Sequence, residues 1–133
     1  MATYLLDTTV IIDCLRGRRE VVDFLTRIAS EGSIVGCCAI NIVEVYAGMR
    51  ENERQVTKKF LDSLEYYEVT KNLAELAGEY KREYTGKGVT LSLSDVIIAA
   101  VAISNNLTLI TDNLKHYPMP EINIKQIEIG SRG

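Results

Sequence analysis

Four acids in this chain are set in apolar sequence that offers no local reason for a charge. Asp7 interrupts YLLDTTVIID, Glu44 sits between valines in NIVEVYAG, Asp95 opens the long apolar run SDVIIAAVAI, and Asp112 follows Leu107 to Ile110. A carboxylate within apolar surroundings is costly unless something pairs it. Carboxylates that converge also repel and raise one another's pKa until a cation neutralises them. Oxygen donors select a hard divalent ion, Mg2+ or Mn2+, and Mg2+ commonly uses one or two carboxylates together with water and substrate phosphates. Such a centre suits phosphodiester hydrolysis without any serine–histidine pairing.

Each acid also has a purely structural explanation. Asp7 can cap a helix, and Asp95 can answer the positive end of a helix dipole. Asn41 with Glu44 three residues later fits a capping box, and Asp112 stands where turn chemistry wants Asp or Asn. Taken together the four favour function, because unrelated caps need not fall on one edge of a sheet.

The elements that must position them follow from periodicity and punctuation. Tyr4 to Leu6 reads as a buried strand, with Asp7-Thr8-Thr9 opening a helix over Val10 to Leu15 that Gly17 stops. A second helix covers Arg18 to Ser30, Ser33 to Cys38 is a strand, and Asn41 opens a helix through Met49. Glu53 to Leu64 is amphipathic, Tyr66 to Val69 a short strand, and Asn72 to Tyr84 a helix ending in Gly86-Lys87-Gly88. Ser92 or Ser94 caps an apolar helix to Asn105. Leu107 to Ile110 is a strand, Thr111-Asp112-Asn113 a turn, and Ile124 to Ile129 a last strand. This alternation predicts an α/β three-layer sandwich, a mainly parallel sheet of about five strands with helices on both faces. Ligands of such sheets bind beyond the carboxyl ends of the strands, where all four acids map.

Composition narrows the class. At 133 residues and 47% hydrophobic the chain predicts one domain over 1–133. A net charge of -3 with both signs interspersed excludes a surface that grips nucleic acid throughout, and leaves room for a local basic patch. Cys14, Cys37 and Cys38 are odd in number and lack CxxC spacing, so they read as small core residues of a reducing cytoplasm rather than a disulfide or zinc framework. No export signal is expected. Val96 to Ile103 falls far short of the ~20 residues that span a bilayer, so no membrane association is expected either.

YLLDTTVIIDCLRG, INIVEVYAGM, LSLSDVIIAAVAISNNLTLIT and DNLKHYP together span Tyr4 to Pro118. In order and spacing this set resembles the PIN-domain ribonucleases, specifically the VapC-type toxins of type II toxin–antitoxin pairs. By that resemblance Asp7, Glu44 and Asp95 are the first three metal-binding acids, and Thr9 a hydroxyl that helps hold the site. At the fourth position, beside Thr111, Asn113 stands in the family's usual place and Asp112 one residue earlier; both remain candidates. The resemblance implies a Mg2+- or Mn2+-dependent endoribonuclease that stops translation by cutting RNA. It further implies a homodimer held by a small antitoxin of VapB type.

Other residues divide between surface and function. Arg16, Arg18 and Arg19 in LRGRR are candidate RNA phosphate contacts, as are Lys81, Arg82 and Lys87, although basic clusters are often only solvated surface. His116 can act as a general base, but an activated water removes the need and its setting beside Tyr117 and Pro118 favours a structural turn. Tyr46, Tyr80 and Tyr84 can stack on bases or pack the core or a dimer face. Two further readings compete. A haloacid-dehalogenase-like phosphatase using Asp7 as nucleophile wants a second acid two residues on, where Thr9 stands. A non-catalytic PIN-like binding module has no need of the retained acids.

Overall fold

The structure is a computed structural model that describes residues 2–127. Five strands, β1 (Thr3–Leu6), β2 (Ile34–Cys38), β3 (Glu65–Tyr67), β4 (Thr108–Thr111) and β5 (Asn123–Gln126), form one sheet in the order β3-β2-β1-β4-β5. All four pairings are parallel. The chain winds outward from β1 through β2 to β3, then returns to the other side of β1 for β4 and β5. The winding therefore reverses between β1 and β4, where Leu6 pairs with Ile110. That crevice is where an open parallel sheet binds its ligand.

Six α-helices cover the faces: α1 (Thr8–Leu15), α2 (Arg19–Ser30), α3 (Ala39–Gly48), α4 (Arg54–Asp62), α5 (Lys71–Gly86) and α6 (Leu93–Ser104). Strand alternation divides the core in two. Leu5, Cys38 and Leu109 face a cluster built with α5 and α6, while Leu6, Cys37 and Ile110 face one built with α1, α2, α3 and α4. The expected three-layer α/β sandwich is thereby realised. The α6 helix is apolar almost all round because it is buried all round: Val96 and Ile98 to Ala102 are at most 1% exposed. It ends where Asn106 takes φ 54, a left-handed conformation that Asn tolerates better than most residues.

Three boundary differences matter for the site. The helix expected from Asn41 begins at Ala39, with Cys38 as its N-cap and Asn41 at the third position. Asn41 Oδ1 accepts from the Cys38 N–H at 2.8 Å, so the capping box pairs Cys38 with Asn41 and not Asn41 with Glu44. Glu44, one turn further along, is released from the helix start. The fourth strand runs one residue later than expected and takes in Thr111, which is fully buried. Ser92, and not Ser94, caps α6 by accepting from the Asp95 N–H at 3.0 Å. Elsewhere, a 3-10 turn over Glu51–Glu53 precedes α4, and α5 runs on to Gly86. The last strand is Asn123–Gln126, and residues 128 and 129 of the expected strand lie outside the described region.

Candidate active site

β1 delivers Asp7 to the switch point, where its N–H donates to Ile110 O at 2.9 Å and its side chain caps α1. The carboxylate is only 6% exposed. Its Oδ1 accepts from the Thr8 N–H at 2.8 Å and its Oδ2 from Thr111 Oγ1 at 2.7 Å, and the Tyr117 hydroxyl lies close by. Burial raises its pKa above the ordinary carboxyl value, and these hydrogen bonds offset part of that rise. The charge of Asp95 adds to it. Capping and the site therefore share one carboxylate.

Glu44 is held by a relay of hydroxyls. The fully buried Asn41 amide donates to Leu6 O at 3.2 Å and to Thr8 Oγ1 at 2.9 Å. Thr8 then donates to Glu44 Oε1, and Ser94 donates to Glu44 Oε2, each at 2.7 Å. Glu44 thus ties α1, α3 and α6 together. Asp95, on the first turn of α6, accepts from the Tyr117 hydroxyl at 3.4 Å and lies 3.6 Å from His116 Nδ1. Asn113 Nδ2 is 3.0 Å from His116 Nε2. An amide nitrogen only donates, which places the ring proton of neutral His116 on Nδ1, facing Asp95. On the far side Thr9 Oγ1 donates to Asp112 Oδ1 at 3.2 Å.

One open cleft of about 910 Å³ holds Asp7, Glu44, Asp95, Asp112 and Asn113 together with Thr9. Residues 4–121 match the PIN domain family. The chain belongs to the PIN-domain family. Ribonuclease VapC19 of Mycobacterium tuberculosis is 30% identical over 115 residues, which cover 86% of this chain and 92% of that protein. A toxin–antitoxin complex from Klebsiella pneumoniae superposes with a TM-score of 0.71 at 29% identity, covering 90% of this chain and 94% of that one. VapBC2 from Rickettsia felis, solved on a DNA fragment from its promoter, gives 0.80 at 22% identity over 95% and 99%, a likeness of fold.

The donor set of this PIN domain suits the expected cation in one mode of binding and not in another. Among the described residues no three Asp, Glu, His or Cys side chains form a group able to hold an ion by themselves. An all-protein cage is excluded for those residues, yet the mode Mg2+ favours is not a cage: one or two carboxylates suffice when water and phosphate complete the shell. Asp7 and Asp95 are close enough for their charges to interact, one of them is buried, and all the donors are oxygens. The residues fit a hard divalent ion in that mode.

The remaining candidates lie elsewhere. Arg16 lines a separate small pocket with Ile12, Leu15 and Met49, the Arg18 guanidinium is 3.8 Å from Glu20, and Arg19 is exposed on α2. None of the three lines the cleft. Lys81 donates to Leu91 O at 2.7 Å, Arg82 pairs with Glu79, and Lys87 lies over the Tyr84 ring. Tyr84 is a core residue, while the Tyr80 hydroxyl reaches Glu121 at 3.3 Å. His116, by contrast, does line the cleft, beside Lys115. Sequence reasoning missed Tyr117 as a site residue, along with the roles of Thr8, Asn41 and Ser94. The sequence around Tyr117, KHYPMPE, carries no apolar pattern that would have marked the ring as buried, and only burial shows that its phenol needs a polar partner.

Proposed function

We propose that this PIN-domain chain is a Mg2+- or Mn2+-dependent endoribonuclease, the toxin of a VapBC-type pair that inhibits translation by cutting RNA. It acts as a homodimer in the cytoplasm and is held by a small VapB-type antitoxin. The observation that carries this reading is the meeting of Asp7, Glu44, Asp95 and Asp112, borne by distant parts of the chain, in one cleft at the β1–β4 switch point. The likeness to ribonuclease VapC19 supports RNA as the substrate, and the solved VapBC complexes support the antitoxin.

Asp7 and Asp95 hold the cation, with Glu44 and either Asp112 or Asn113 completing the acidic wall. When bound, the ion neutralises the phosphodiester charge and lowers the pKa of water to make a nucleophile. Thr111 fixes the Asp7 carboxylate from the buried side, and Thr8 and Ser94 fix Glu44. Thr9 orients Asp112. A covalent phosphatase route through Asp7 is disfavoured, because both its oxygens accept short hydrogen bonds and the position two residues on carries a hydroxyl directed at Asp112.

The test is cleavage of total RNA by antitoxin-free protein, with cut ends mapped by sequencing. Mg2+ or Mn2+ is expected to support cutting, EDTA to stop it, and Asp95→Asn to lower the rate by about a hundredfold or more with the fold retained. Undiminished cutting in EDTA would sink the reading.

A further inference from the structure

Tyr117 stands behind the two acids that the proposed function assigns to the cation. Its ring is 3% exposed and packs in the α5–α6 core, a place that phenylalanine would fill equally well. Its hydroxyl leaves that core to donate to Asp95 Oδ1 at 3.4 Å, with the Asp7 carboxylate close beside it. Tyr117 does not line the cleft, so it meets the two carboxylates from their buried side. They come from different elements, Asp7 from the end of β1 and Asp95 from the start of α6.

Counting acceptor sites shows what this contact does. An ionised carboxylate has about four lone-pair directions. At Asp7, the Thr8 N–H and the Thr111 hydroxyl take two of them, one on each oxygen. The carboxylate cannot rotate without breaking both. Asp95 has looser support: its hydrogen bond from Tyr117 is 3.4 Å long and its His116 contact 3.6 Å. The hydroxyl of Tyr117 is thus the donor that holds Asp95 beside the better-fixed Asp7.

We infer that Tyr117 is a positioning residue for the cation, its hydroxyl fixing the orientation of Asp95 beside Asp7. The inference rests on the metal-dependent reading of the site. Hydrogen-bond partners that orient ligands typically change metal affinity by about 10 to 100-fold when removed. Tyr117→Phe keeps the ring in the core and deletes only the hydroxyl.

The experiment is titration of Mn2+ into the cation-stripped full chain, without RNA, followed by the electron paramagnetic resonance signal of the free ion. Tyr117→Phe is expected to raise the dissociation constant about tenfold while the near-ultraviolet circular dichroism stays that of wild type. Equal affinity of the two proteins overturns the inference. Asp7→Asn separates the levels: if it binds Mn2+ as wild type does, the metal-dependent reading itself has failed. In wild type carrying 13C-labelled tyrosine, the Tyr117 Cζ resonance is expected to shift on addition of Mg2+. An unmoved resonance overturns the inference whether or not the Phe variant folds.

Discussion

Asp7 is at once the N-cap of α1 and an acid at the mouth of the sheet, and the conflict between these roles has a thermodynamic signature. A carboxyl whose native pKa is raised above its unfolded value binds its proton more tightly in the native state, so ionisation penalises folding. The penalty is present in full above the raised native value and fades as pH falls through it to the unfolded value. Asp7→Asn removes the charge and keeps most of the shape. At pH 7 in EDTA it is expected to gain about 1 kcal/mol, or roughly 3 to 6 °C in melting temperature, while losing RNA cleavage. The gain should shrink as the pH is lowered through the raised value, and thermal melts across pH 4 to 7 check it. A melting temperature below that of wild type throughout would show that the lost acceptor outweighs the relieved burial.

At the scale of elements, the geometry of the site depends on how α3 begins. Asn41 satisfies the Cys38 N–H, Leu6 O and Thr8 Oγ1 at once, and Thr8 passes that order to Glu44. Asn41→Leu is therefore expected to remove a hydrogen-bond partner from three buried polar groups at once and to cost about 2 to 4 kcal/mol, read as a lower urea midpoint. Cleavage measured well below that midpoint should also fall, because Glu44 loses its guide. The same helix shows what was legible in the sequence and what was not. Strand and helix order, the apolar α6 and the four acids could be read from periodicity and from charges in apolar runs. The cap of α3 was misread because Asn41 has the chemistry of a cap and Cys38 does not. The partner of Thr111 lies 104 positions away at Asp7, and that of Ser94 lies 50 away at Glu44, distances at which no local pattern carries information. Tyr117 was passed over for the same reason.

At the scale of the whole molecule, a chain of net charge -3 must attract a polyanion locally. The sequence draws attention to Arg16, Arg18 and Arg19, but none of them lines the cleft, whereas Lys115 does. Lys115→Ala is expected to weaken RNA binding and to reduce the slope of log affinity against log salt by about 0.7, the loss of one single-strand phosphate contact. Arg16→Ala together with Arg19→Ala should leave the slope nearly unchanged. Binding isotherms at three or more salt concentrations distinguish the two outcomes.

Cys37 and Cys38 adjoin in sequence yet face opposite layers of the sandwich. Consecutive strand residues point to opposite faces, so these two thiols are addressed to different compartments and are kept from one another by the sheet itself. Both are buried, and burial raises the pKa of each thiol, which makes them slow to react in the native state. The protein thus carries paired chemical probes one residue apart. Alkylation of Cys37 reports opening of the layer that holds α1 and α2, and alkylation of Cys38 reports opening of the layer that holds α5 and α6.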